Sequence, residues 1–291
     1  MKKRGFILII IASIAWGTSG IFVHFLAPYG FSSVQMSFFR TSVSILVMGG
    51  YALVFNRNAF KIKVRELLLY IGSGLSCFGT QACYFYCMQA TSVSTAVVLM
   101  YLAPVIVVVY SVLFLGEKLT QLKGSAIVTM LIGCGLVSGI IGGLKFDAFG
   151  IAIGFASGIS YGIYNIFTKI QMQSGCNPVS ATLYTFIFAC ASGLFVCHPE
   201  TIPGLIAADI PVTLALIIGM GLCTCVLPYV TYTLGMKELP AGTASSLGIV
   251  EPMAATIFSV ILFNEQLTIF PILGIILILG SVILLGKSEK V

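Results

Sequence analysis

Ten apolar runs, each close to the length of a membrane-crossing helix and divided by short polar breaks, constrain this chain more than any motif does. Setting apolar stretches against charged or turn-forming residues places them at roughly 5–27, 33–55, 67–89, 94–115, 121–142, 149–171, 178–198, 212–236, 241–263 and 268–286. A span takes about 20 residues, so ten of them consume most of the 291 positions and leave only connectors. Charge is correspondingly scarce. Fifteen Lys or Arg and nine Asp or Glu make up 8% of the chain, against roughly 25% in soluble domains, and the mean hydropathy is +1.09. A soluble catalytic or nucleic-acid-binding domain has no room here. The expected class is an all-α polytopic membrane protein with ten transmembrane helices.

The placement of the cations sets an orientation. With the amino terminus in the cytoplasm, one side collects Lys2, Lys3, Arg4, Arg57, Lys61, Lys63, Arg65, Lys118, Lys123, Lys169, Lys237, Lys287 and Lys290. The other receives only Lys145, with Asp147, Glu200, Asp209 and Glu265. Both termini are therefore expected in the cytoplasm, and the net charge of +6 is read as a topology signal facing anionic lipid, with no nucleic-acid partner. A signal peptide is the rival for the first run, from Met1-Lys2-Lys3-Arg4 to Ser13-Ile14-Ala15. That run continues to Leu26, and cleavage would break the repeat described next. The nine cysteines form no C-x-x-C pair and read as small buried thiols, so neither metal nor cofactor is expected.

Shifted by 148 residues, the chain overlays itself. Tyr84 meets Tyr232, Met88 meets Met236, Leu99 meets Leu247, Pro104 meets Pro252, Glu117 meets Glu265, and Leu119-Thr120 meets Leu267-Thr268. A shift of 145 aligns the starts of the halves, Gly5 with Gly150 and Trp16-Gly17 with Tyr161-Gly162. The halves are 1–143 and 144–291, each of five helices. Because five is odd, the second half lies upside down relative to the first, an arrangement typical of transporters that open a central site to either side.

Few residues inside the spans carry chemistry. Glu251 lies near the middle of the ninth helix, where the repeat has Ala103; Arg40 lies in the second, and His24 near the outer end of the first. Intramembrane charge faces a cavity or a partner. The preferred reading puts Glu251 in a central cavity as a proton-coupling or cation-contacting group; an Arg40–Glu251 ion pair is the alternative, and His24 reads as interfacial. Pro104 and Pro252 are mid-span kink candidates that free backbone carbonyls. Trp16, Gln81, Tyr84, Tyr101, Tyr161, Asn165, Tyr229 and Tyr232 are candidates for the cavity wall. They suit amino acids or small amphipathic or aromatic molecules. Glu117 and Glu265 read as parts of tight helical corners, after Gly116 and Asn264 and before the caps Thr120 and Thr268. Gly150, Gly154, Gly158 and Gly162, like Gly135, Gly139 and Gly143, form small-residue stripes for close packing. No P-loop, dinucleotide loop or nucleophile–base pair argues for an enzyme.

The stretches Ala15-Trp16-Gly17, Phe39-Arg40, Tyr101-Leu102-Ala103-Pro104 running to Gly116-Glu117-Lys118-Leu119-Thr120, and Glu251-Pro252 running to Glu265-Gln266-Leu267-Thr268 resemble the drug/metabolite transporter superfamily, in its EamA-type ten-helix branch. Asn264 stands where that pattern has Gly, and its glycine in the fifth helix is displaced to Gly124. The resemblance implies a basket-like bundle. The first, third, fourth, sixth, eighth and ninth helices would surround a cavity, and small metabolites would be exported or exchanged by alternating access. The expectation is thus a secondary transporter in the plasma (inner) membrane, with small-molecule substrate, protons and membrane lipid as its partners and a homodimer left open. An uncoupled or uptake facilitator, or an intramembrane enzyme or sensor, is the alternative.

Overall fold

The structure, a computed structural model, describes residues 2–91, 93–137, 147–263 and 269–288. The 143/144 boundary, Lys145, Gly139, Gly143, Asn264, Glu265, Gln266, Leu267 and Thr268 lie outside these. Among the described residues there is no strand. The helices are α1 (Lys2–Gly17), α2 (Ser19–Leu26), α3 (Ser33–Phe55), α4 (Val64–Ala90), α5 (Val93–Met100), α6 (Ala103–Phe114), α7 (Gln121–Val137), α8 (Ala148–Gln173), α9 (Pro178–Gly193), α10 (Ile202–Ala207), α11 (Ile210–Gly221), α12 (Leu227–Glu238), α13 (Ala241–Leu247), α14 (Val250–Phe263) and α15 (Ile269–Ser288). Among the described residues, six helical stretches are long and apolar enough to cross a membrane: 3–29, 34–55, 96–114, 148–173, 210–238 and 241–263. Shorter apolar helices cover 121–136, 178–193 and 269–285. The 27-residue α4 is long enough as well, but Ser73, Ser76, Thr80 and Gln81 make it more polar.

Side-chain caps start the helices at the polar breaks, as an apolar helix entered from water requires. Ser32 and Gln35 form a reciprocal capping box on α3, Asp147 accepts from Gly150 N at α8, and Asn177 and Asp209 do the same work for α9 and α11.

Close contacts occur in mirrored pairs. A Cβ on Gly5 would lie 2.9 Å from Leu239, and one on Gly150 would lie 2.9 Å from Thr91. A Cβ on Gly17 would lie 2.8 Å from Ala254 and 3.1 Å from the Glu251 carbonyl; on Gly162 it would lie 3.1 Å from Ile106 and 3.7 Å from the Ala103 carbonyl. Every partner in the first half has its repeat mate in the second. The glycines recur because each half packs its first helix against the other half's third and fourth, and only a bare Cα admits that approach. The amino end of α1, at Gly5, and the carboxyl end of α8, at Lys169, both touch Leu239. The two repeat mates therefore run in opposite directions.

Among the described residues, three of these stretches are broken within their length: 3–29 at Thr18, 96–114 at Tyr101–Leu102 and 241–263 at Gly248–Ile249. A fourth irregularity is the π-helical turn Leu222–Val226 between α11 and α12, just before Pro228 in the first turn of α12. The expectation that Pro104 and Pro252 kink their helices from within is corrected here. Both lie in the first turn of a new helix, where a missing N–H removes no helical hydrogen bond, and the breaks fall two or three residues upstream.

Candidate functional site

The mid-span breaks put backbone and polar side chains where unbroken helices would present only apolar faces. Around them lies a cavity of about 510 Å³, lined by Trp16, Ser19, Val23, Met36, Arg40, Gln81, Tyr84, Tyr101, Tyr161, Tyr164, Tyr229, Glu251 and Pro252, among others. The lining comes from the end of α1, α2, the first half of α3, the later half of α4, α5, the end of α11 and the π-helical turn after it, the start of α12, the first half of α14 and the mid-length of α8. The first halves of α1 and α4 contribute nothing. The cavity therefore runs from mid-depth toward one end of the bundle and stops short of the other.

Its floor is a chain of rings. Trp16 meets Tyr229 edge-on with centroids 5.2 Å apart, Tyr229 meets Tyr164 at 5.8 Å, and Tyr164 lies parallel to Tyr161 at 6.3 Å. Tyr101 closes the chain at 6.4 Å from Tyr161, and its hydroxyl donates to Glu251 Oε2 at 2.6 Å. Glu251 sits in the first turn of α14, directly after the Gly248–Ile249 break, where helix amides favour a carboxylate. Arg40 lines the same cavity, but no ion pair of 4.0 Å or less joins the two, and Arg40 Nε is buried without a hydrogen-bond partner among the described residues. Of the two sequence readings, the direct Arg40–Glu251 pair is absent. Gln81 Nε2 donates to Cys77 Sγ at 3.8 Å, one turn back on α4.

Asn165 and Tyr232 are placed one layer behind the wall. Both are fully buried: Tyr232 donates to Asn165 Oδ1 at 2.5 Å, and Asn165 Nδ2 donates to Ser245 Oγ at 3.3 Å. Tyr232 supports Trp16 from behind, with ring centroids 5.2 Å apart. Mutual hydrogen bonding turns both polar ends away from the cavity, so these two position the ring floor. Pro104 is likewise buried outside the cavity, whereas Pro252 lines it. His24 is exposed and packs on Phe263 with centroids 4.2 Å apart.

The sequence reading missed Tyr164 and four methionines, Met36, Met88, Met100 and Met220. Methionine is flexible and polarizable and adapts to varied ligand shapes, but on an apolar span it looks like any packing residue. It also missed the Thr18 break, whose only sign is the run Gly17-Thr18-Ser19-Gly20.

The opposite end is closed by charge held on backbone. Lys169 Nζ donates to the carbonyls of Met236, at 3.0 Å, and Leu239. Glu117 Oε1 accepts from Ala241 N at 2.6 Å, while its Oε2 pairs with Lys123 Nζ at 3.2 Å. Gly116 is left-handed at φ 68° and Thr120 caps α7 at Lys123 N, as the corner reading expects. The Glu117 carboxylate, however, reaches across to the start of α13 in the other half. Lys123 and Lys169 are buried, which corrects their reading as cations facing lipid headgroups.

The model of the EamA-like transporter family matches residues 3–139 and 148–287. An "Uncharacterized transporter" of Archaeoglobus fulgidus is 28% identical over 98% of this chain and 97% of its own length. The "Uncharacterized inner membrane transporter YicL" of Salmonella typhimurium is 26% identical over 99% and 97%. A solved crystal structure superposes with a TM-score of 0.82 at 14% identity, covering 100% of this chain and 99% of that one, and shows the fold. With both halves matched by one family model and a ring-floored cavity between them, the chain belongs to the EamA-like transporter family.

Proposed function

We propose that this protein is a secondary active exporter of small zwitterionic amphiphiles, amino acids with apolar or aromatic side chains among them, working by alternating access in the plasma (inner) membrane. The reading has ten spans, both termini in the cytoplasm, and two inverted halves, 1–143 and 144–291. The name of the Salmonella relative supports the inner membrane, and the opposed directions of α1 and α8 support the inversion. The cavity mouth then faces outward and the Lys169–Glu117 end faces the cytoplasm. One observation carries the substrate class: two opposite charges, Arg40 and Glu251, share an otherwise uncharged cavity without pairing. A ligand that brings its own carboxylate to Arg40 and its own ammonium to Glu251 neutralises both, while rings and methionines cover its side chain. In its absence a proton on Glu251 serves the same end, which couples proton entry to substrate exit.

The test is flux through proteoliposomes with phenylalanine and its decarboxylated amine as probes. Arg40→Gln removes a charge-assisted contact worth about 1.5–3 kcal/mol. The variant should lose roughly ten- to a hundredfold in phenylalanine flux and retain amine flux. Equal losses for both probes, or no flux of either in the wild type, would contradict the reading.

A further inference from the structure

Beside the central cavity lies a second one of about 210 Å³, between α3, α4 and α9. It shares three wall residues with the first: Ser37, Gln81 and Phe85. Its remaining wall is apolar in effect. Phe38 and Phe78 supply ring faces, and Thr41 donates its hydroxyl to the carbonyls of its own helix at Ser37 and Phe38, 3.0 and 2.8 Å away, leaving its methyl to the pocket. Cys190 Sγ is 3.5 Å from Ser42 Oγ. Gly193, in the last turn of α9, leaves the space open: the nearest atoms a Cβ there would meet are in the rings of Phe78 and Phe38, at 3.6 and 3.9 Å.

We propose that this side pocket is the tail subsite of the transported amphiphile, with Gly193 the residue that sets how long a tail it takes. The proposal rests on the zwitterion reading, in which the head lies between Arg40 and Glu251. The adjacency of the two cavities argues for the occupant: Ser37, Gln81 and Phe85 wall both, so these side chains are what lies between them. Arg40 is one turn from Ser37 on α3, so a head held at Arg40 lies next to that shared wall, and an apolar tail that displaces the Gln81 and Phe85 side chains enters a space lined by rings. The volume suits this use, since an apolar cavity of roughly 150 Å³ already takes up a benzene-sized molecule.

The experiment measures binding of 2-amino-n-alkanoic acids, with side chains of two to ten carbons, to the full chain in nanodiscs. Trp16, the single tryptophan and part of the cavity wall, reports occupancy by its fluorescence. Each methylene entering the pocket should tighten binding about fourfold, until the pocket is full. Gly193→Leu, and independently Ala82→Leu on the facing wall, should flatten that rise for long chains and leave the shortest members unchanged. A rise that persists in both variants, or short chains that bind with no rise in the wild type, would overturn the subsite and leave the zwitterion site standing. Binding of no member would overturn both. Phospholipid with a photoactivatable acyl chain separates the remaining occupant: labelling around Cys190 that Gly193→Leu abolishes, with no chain-length rise, would assign the pocket to bilayer lipid and overturn the proposal.

Discussion

Glu251→Gln should abolish the response of transport to an imposed proton gradient while leaving the fold intact. The side chain sits in the first turn of α14 with Oε2 accepting from Tyr101 at 2.6 Å, and a glutamine amide oxygen can accept the same hydrogen bond. Shape and the Tyr101 hydrogen bond survive; the negative charge, and with it the ability to take up and release a proton, does not. The lost interaction of a carboxylate with the helix amino end costs about 0.3–1 kcal/mol, too little to unfold the chain. Gradient-driven accumulation of phenylalanine in proteoliposomes should fall to the level of empty vesicles, while exchange without a gradient, weakened roughly ten- to a hundredfold by the lost ammonium contact, stays above that level. The sign follows from the exchange of an entering proton for a leaving substrate: an acid outer side drives substrate outward in the wild type and does nothing in the variant. Unchanged accumulation would remove Glu251 from coupling.

Lys169→Met should loosen the closed end. The ammonium holds the carbonyls of Met236 and Leu239, at the carboxyl end of α12, inside the protein. Methionine fills a comparable volume but donates nothing. Unsatisfied buried acceptors cost about 1–3 kcal/mol each, so the joint between α12 and α13 should open more readily. Backbone amides at 236–242 should exchange roughly ten- to a hundredfold faster in hydrogen-exchange measurements. The mirror contact, where α8 meets the end of α4 at Gly150 and Thr91, should keep its protection. Uniform acceleration at both ends would indicate general destabilisation, and unchanged exchange at 236–242 would show that Lys169 holds nothing shut.

Much of this arrangement is legible in the residues, for physical reasons that differ from part to part. The spans show because a bilayer admits only long apolar helices. The duplication shows because mirrored contacts demand the same small residue twice, as at Gly17 and Gly162. Glu251 and Arg40 stand out because charge at mid-depth is costly. Other features are hidden by distance along the chain. Glu117 reads as a local corner because its partner, the amide of Ala241, lies 124 positions away. Asn165 and Tyr232 look like wall residues until their mutual hydrogen bond shows that each satisfies the other. The π-helical turn before Pro228 left no pattern, since the repeat mate of that proline is Thr80 in an unbroken α4.

The central claim is that two oppositely oriented halves clasp the cavity, and sidedness tests it most directly. In a chain whose native cysteines are replaced, Lys3→Cys at the start of α1 and Phe149→Cys at the start of α8, both exposed, should react with a membrane-impermeant thiol reagent from opposite faces of the bilayer. Reaction of both from the same face would contradict the inverted halves and the transport cycle built on them.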